Sequence, residues 1–373
     1  MVLILVQKKI EFVLKQDKVF QVTPDIDESD IHSVVNYLES GGWLTEHKIT
    51  NDLENKIASY VNRDYANAVP NGTIAIYLAL ISAGVKSGDR VAVPNLTMIA
   101  TINSVIWAGA EPVIVDVDEN LCMSYHELSQ LEDIDAVIFV PLNGRTGDGY
   151  KIEKWCLENN ILLIEDSAHA LGSSYPHKAC GSLGDLSIFS FTPHKIITMG
   201  QGGMILTDNE EYHEKIVELK TFNREQDKLD WHKGFGLNFK ITDLQASIGI
   251  SQFAKLEKYI ENKRINWQQY NSLVESEDII FLDFKNNETP WFFDVVFSSV
   301  EEKNNIIESL RKNNIETRNS YPALSLQNYL EKYKKTELTY SESISDRILW
   351  LPSSNNLKST EIVKIANIIN SSI

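Results

Sequence analysis

Three clusters of residues in this sequence could do chemistry together. In "FSFTPHKIITMGQGGMILTD", residues 189–208, Lys195 stands between a β-like run and a glycine-rich turn. A lysine in an exposed loop is ordinarily a solvated charge. Here apolar residues and glycines surround it, which would strip water from the ammonium, lower its pKa and suit it to Schiff-base formation. In "ILLIEDSAHALGSSY", Asp166 closes an apolar run, and a carboxylate at the buried end of a strand is costly unless it meets a cation. It can be a helix cap or a structural ion pair, or it can serve a protonated pyridine nitrogen where pyridoxal phosphate acts as an electron sink. In "PNGTIAIYLAL", Gly72 and Thr73 open an apolar helix, so their free N–H groups and the helix dipole form either an anion site or a plain turn. Ser190, just before Lys195, could add a hydroxyl to the same phosphate.

The elements that must position these residues follow from periodicity. "DIDESDIHSVVNYLESGG" has apolar residues at helical spacing, an acidic first turn and a Gly-Gly stop, and "TIAIYLALISAGVKSGD" predicts a buried helix starting at Gly72-Thr73. The β-branched runs "VAVPN", "PVIVDVD", "AVIFVPL", "ILLIEDSA", "LSIFSF" and "GMILTD" then alternate with stretches that can hold helices. That is the α/β pattern of a mostly parallel sheet flanked by helices, which binds ligands at the carboxyl ends of its strands. "PNLT", "EDSAH" and "SFTPHK" fall at such ends. From residue 241 to 276 the pattern predicts one long polar helix acting as a hinge, followed by "WFFDVVFSS" and two further helices. The expected division is an extension over 1–20, packed on the surface, a large domain over 21–255 and a smaller C-terminal α+β domain over 256–373.

Composition narrows the function. The 373 residues carry 35 basic and 52 acidic side chains, a formal charge of -17, so the average field repels nucleic acid and anionic membranes. Any phosphate ligand must be held locally. Cys122, Cys156 and Cys180 are odd in number and widely spaced, which fits neither a disulfide framework nor a zinc site; reduced packing residues and a cytoplasmic location are expected, with no metal. The apolar run in "MVLILVQKKIEF" is too short for a signal-peptide core.

Taken in order, "NGTIAIYLAL", "VAVPNLTMIATINSVIWAGAEPVIVDVD", "IEDSAHALGS", "GSLGDLSIFSF", "HKIITMGQGGMILT" and "GLNFKITDLQASIG" resemble the sugar-nucleotide aminotransferases of the DegT/DnrJ/StrS group over nearly the whole chain. The resemblance implies the aspartate aminotransferase-like (type I) fold, with bound pyridoxal 5′-phosphate that passes through pyridoxamine 5′-phosphate. It implies that Lys195 forms the Schiff base and shuttles the proton, that Asp166 pairs with the pyridinium nitrogen, and that His169 stands near the phenolic oxygen. Gly72, Thr73 and Ser190 would cradle the phosphate. Asn238 matches an asparagine lent by the neighbouring subunit, which implies a homodimer with shared sites. Two departures stand out: Met98 occupies the place of the aromatic ring that covers the pyridine in many relatives, and His47 stands near a glycine usual after the "GW" turn. Arg318, Arg224 and Lys240 lie in or beside family-like loops and are candidates for the substrate's pyrophosphate, against the ordinary reading of surface ion pairs.

The implied reaction moves the amino group of L-glutamate to a nucleotide-linked keto-deoxysugar for surface glycans such as O-antigen. "LTMIAT" and "KIITMGQGG" resemble the branch that aminates C4 of GDP-4-keto-6-deoxymannose. A dehydratase branch carries histidine at the lysine position, so His194, next to Lys195, keeps that rival open. A non-catalytic, cofactor-binding regulatory protein is the rival from another class.

Overall fold

The β-branched runs become neighbouring strands because each pairs on both sides and buries both faces. The computed structural model describes residues 18–225 and 227–372. Helices α1 (Glu28–Glu39) and α2 (Lys48–Val61) precede β1 (Tyr65–Val69). Then come α3 (Gly72–Ser82), β2 (Arg90–Pro94), α4 (Ala100–Trp107), β3 (Glu111–Val115), α5 (Tyr125–Leu128), β4 (Ala136–Phe139), α6 (Gly149–Asn159), β5 (Leu162–Asp166), β6 (Leu186–Ser190), β7 (Gly203–Thr207), α7 (Glu210–Lys220) and α8 (Asp243–Phe253). The remainder comprises α9 (Leu256–Leu273), β8 (Ile279–Phe281), β9 (Phe293–Phe297), α10 (Val300–Lys312), β10 (Arg318–Asn319), β11 (Lys334–Lys335), α11 (Thr339–Ile344), β12 (Ile348–Leu351) and α12 (Ser359–Asn370).

Eight strands form one sheet in the order β1-β7-β6-β5-β4-β2-β3-β11. All its pairs are parallel except those of β7, which runs antiparallel to β1 and β6. The mostly parallel α/β sheet expected from the alternation is therefore present. A second sheet, β10-β12-β9-β8, is antiparallel throughout. Strand β1 was not among the expected runs, because "YANAV" is rich in alanine, which favours strands weakly; pairing along β7 overrides that preference. On α3, Ala75, Ile76, Leu78, Ala79 and Leu80 are buried, and each such isoleucine or leucine contributes about 1.5–3 kcal/mol of apolar burial.

The single long hinge helix expected over 241–276 is corrected: it breaks at Ala254–Lys255 into α8 and α9. No glycine or proline announces the break. It falls where the chain is tied to the start of α1, since Lys255 Nζ lies 2.7 Å from Asp30 and 3.0 Å from Asp27 while Gln252 Nε2 donates to the Asp25 carbonyl at 2.8 Å. Of the amino-terminal extension, residues 1–17 lie outside the described residues. Val19 is buried and bridges Ile315.

A buried charge pair joins the two sheets. Arg145, in the loop after β4, meets the Asp294 carboxylate of β9 with its two terminal nitrogens at 2.6 and 2.7 Å, and Asn143 Nδ2 donates to the same carboxylate at 2.6 Å. Arg145 also donates to the Leu282 carbonyl at 2.8 Å, so the guanidinium is satisfied on both sides.

Candidate active site

Strand alternation sets the first part of the site. Glu165 and Asp166 end β5 on opposite faces. Glu165 turns into the protein, accepting from Tyr175 at 2.9 Å and from the N–H groups of Gly181 and Leu183 at 2.8 and 3.0 Å. Asp166 turns toward α4, accepting from Thr101 Oγ1 at 2.9 Å and from the Ala168 N–H at 3.3 Å. Burial pushes the Asp166 carboxyl above its ordinary range, and the Thr101 hydroxyl and the Lys195 charge offset part of that.

Lys195 follows β6 on a closed turn. Phe191 pairs with Gly202 and Met199 through its N–H and carbonyl, at 2.9 and 3.0 Å, and the Lys195 N–H donates to the Thr192 carbonyl at 3.0 Å. The ammonium sits 3.9 Å from the centre of the Trp291 ring. Burial brings its pKa down to about 7; the Asp166 carboxylate pulls it up and the Arg318 charge pushes it down. The desolvated lysine expected from its apolar neighbours is therefore present. An amine with that pKa is substantially neutral, and hence nucleophilic, at pH 7.

His169 is buried, stacks on Trp291 at 4.0 Å and has no partner for its Nδ1 among the described residues. Burial, then the charges of Lys195, His194 and Arg318, hold its pKa well below 6.5, so the imidazole is neutral. Sequence reasoning missed Trp291. The chain has seven tryptophans and nothing beside this one marks it; only the tertiary fold lays it against both His169 and Lys195.

The start of α3 supplies the anion site. Asn71 caps it, its side chain taking the Ile74 N–H at 3.0 Å, and among the described residues nothing accepts from the N–H of Gly72 or Thr73. A Cβ on Gly72 would stand 3.1 Å from Ser190 Cβ, so glycine keeps open the space between the helix start and that serine. Gly203 matters in the same way, because a Cβ there would stand 2.6 Å from the Asn71 carbonyl. Ser190, Lys195, His169, Ala168 and Trp291 line one narrow recess.

Met98 follows β2 and is about two-fifths exposed; its carbonyl takes the Thr101 N–H at 3.0 Å, so it shapes the turn that presents Thr101 to Asp166. Arg318 is exposed on β10, 5.3 Å from the Trp350 ring, and its charge reaches Lys195 and His169. The other three candidates lie elsewhere in this chain. Asn238 is exposed and bridges Thr221, while Arg224 and Lys240 flank the Phe222 ring at 5.4 and 5.8 Å. That pair lines a hollow shared with Glu218, Asp227 and Asp230, with no residue in common with the Lys195 recess.

Such a site, at the carboxyl ends of parallel strands, can hold a phosphorylated aromatic cofactor and present a neutral amine to it. Comparisons with known proteins agree. Residues 24–370 match the model of the DegT/DnrJ/EryC1/StrS aminotransferase family. The chain is 33% identical over 357 residues to a GDP-perosamine synthase of Escherichia coli O157:H7, covering 92% of each chain. Its fold is shared with the Helicobacter pylori aminotransferase PseC, at 22% identity and a TM-score of 0.90 over 95% of this chain and 99% of that one. It is also shared with the PLP-form of the putative sugar aminotransferase Spr1654 of Streptococcus pneumoniae, at 26% identity and a TM-score of 0.88, over 95% of this chain and 98% of that one. The protein belongs to the DegT/DnrJ/EryC1/StrS aminotransferase family.

Proposed function

We propose that this enzyme is a pyridoxal 5′-phosphate-dependent aminotransferase that moves the amino group of L-glutamate to a nucleotide-linked keto-deoxysugar. The perosamine-forming relative supports GDP-4-keto-6-deoxymannose, aminated at C4, as the acceptor. The observation that carries the reading is Lys195: a lysine whose pKa burial brings to about 7, electrostatically linked to buried Asp166 and sharing a recess with Ser190, which borders the start of α3.

The residues fit the cofactor by their chemistry. Two unclaimed N–H groups at Gly72 and Thr73, with the Ser190 hydroxyl, suit a phosphate. A buried carboxylate suits a protonated pyridine nitrogen, and the orphaned Nδ1 of His169 suits a polar ring substituent. When bound, the cofactor supplies an electron sink for negative charge on the carbon beside the amino nitrogen. Asp166, its carboxylate oriented by Thr101, would accept the ring N–H and keep that proton in place. Lys195 Nζ, neutral above about pH 7, takes the α-proton of the donor and later delivers a proton to the sugar carbon that gains nitrogen. Trp291 covers Lys195 and keeps water away. Arg318 offers positive charge to a pyrophosphate in an otherwise acidic protein. Nitrogen leaves one substrate before the other binds, so kinetics are ping-pong.

The same geometry favours transamination over dehydration. Lys195 lies over Trp291 within reach of the Asp166 charge, whereas the His194 side chain is 3.5 Å from Thr192 and its carbonyl is taken by Trp291 Nε1 at 2.7 Å. An absorption spectrum tests the reading. Protein supplied with pyridoxal phosphate should show a visible band that L-glutamate converts to a near-ultraviolet one, and Lys195→Ala should lose the band and all turnover while staying folded. Absence of the band in the wild type, or undiminished transamination by Lys195→Ala, would sink it.

A further inference from the structure

Lys263, on α9, is a cation the proposed chemistry does not use. It is 1% exposed, and among the described residues no carboxylate lies within ion-pair distance of it. Its Nζ instead donates to two backbone carbonyls, that of Trp291 at 2.7 Å and that of Ser353. Both acceptors belong to segments that touch the Lys195 loop. Trp291 lies against the Lys195 ammonium, and its indole Nε1 donates to the carbonyl of His194 at 2.7 Å. Two residues past Ser353, Asn355 Nδ2 donates to the Ile196 carbonyl at 2.8 Å. The carbonyls on either side of Lys195 are thus held by two segments, and one buried lysine ties those segments together.

We infer that Lys263 is a positioning residue, which clamps Trp291 and the Ser353–Asn355 turn onto the Lys195 loop and so maintains the dry environment of the Lys195 amine. The inference rests on the proposed role of Lys195, yet it concerns the protein alone. The groups that face Lys195 are Asp166, His169, His194 and Arg318; Lys263 is not one of them, so it acts through Trp291 and the turn rather than through its own charge. A buried ammonium without a carboxylate is expensive. Burial lowers the Lys263 pKa to about 7, and a leucine or methionine would fill the same volume without that cost. Two backbone carbonyls that need a common donor account for a lysine there.

The test is the pH dependence of Lys195 labelling by fluorodinitrobenzene in cofactor-free protein, read by mass spectrometry of the peptide. Wild type should react half-maximally near pH 7. Lys263→Met nearly keeps the length and removes the donors; Trp291 then loosens, water reaches the ammonium, and a rise of about one pKa unit should cut reactivity at pH 7 about fivefold. In a Trp291→Leu background the same substitution should add a smaller drop, because the indole route is already cut and only the route through the Ser353–Asn355 turn is left. A Lys263→Met protein that melts at a lower temperature but labels like wild type would reduce Lys263 to a structural residue and overturn the inference. Should that variant fail to fold, Lys263→Gln, whose amide is one bond shorter and planar and so does not reach both carbonyls as the ammonium does, is judged by the same criterion. Failure of the aminotransferase reading would appear separately, as a missing visible band in the wild type with the labelling shift intact.

Discussion

At the scale of single residues, the site rests on a balance between burial and charge. Lys195 and Asp166 each pay for desolvation, one moving down and the other up, and each stabilises the charged form of the other. Thr101 adds the hydrogen bond that keeps part of the Asp166 charge. Asp166→Asn is nearly isosteric and can still accept from Thr101, but it removes the charge that, on the proposed reading, would hold a proton on the ring nitrogen. Its turnover with L-glutamate should fall roughly 10²–10⁴-fold with little loss of folding stability. Steady-state kinetics within a factor of about two of wild type would remove Asp166 from the mechanism.

At the scale of elements, helix ends carry much of the structure. His47 stands at the N-cap of α2, and its side chain makes no cap. Asp243, in the first turn of α8, caps it from a distance, accepting from Thr50 Oγ1 at 2.7 Å and from the N–H groups of His47, Thr50 and Ile49 at 2.9, 3.0 and 3.2 Å. Burial alone would raise the Asp243 pKa, yet the bonds from Thr50, His47 and Ile49 win and lower it. A carboxyl depressed on folding stabilises fully above its unfolded value near 3.8, and that stability is lost as pH falls through the folded value. Asp243→Ala strands several N–H groups and should cost about 3 kcal/mol at pH 7. Urea unfolding checks it, and a change under about 0.5 kcal/mol would mean that water satisfies those groups instead.

At the scale of the molecule, one chain leaves part of the proposed machinery away from Lys195. Asn238 is exposed, and near it Leu229, Trp231 and Phe235 are 90%, 62% and 69% exposed, more apolar surface than an isolated loop ordinarily leaves in water. We propose that a second copy covers this loop and that Asn238 thereby reaches the phosphate held by the partner's Gly72 and Ser190. Asn238→Ala should then weaken pyridoxal phosphate binding about tenfold, near 1.4 kcal/mol, without unfolding the protein. Unchanged affinity by fluorescence titration, or full activity from a species that sediments as a monomer, would refute the shared site.

Much of this was legible in the chain because local rules write it there. Alternating β-branched runs and helical stretches predicted the mostly parallel sheet, and "PNGT" predicted a helix start at Gly72. The apolar, glycine-rich setting of Lys195 predicted its lowered pKa. Contacts made by residues distant in sequence were not legible. Strand β1 exists through its pairing with β7, and the break between α8 and α9 falls where Lys255 reaches Asp27 and Asp30. Trp291 and Lys263 look like ordinary core and helix residues until the fold closes them over the Lys195 loop. The physical reason is one of range. Periodicity, capping and turn chemistry act over a few residues, whereas desolvation, stacking and shared hydrogen-bond partners exist only after the tertiary fold has brought distant segments together.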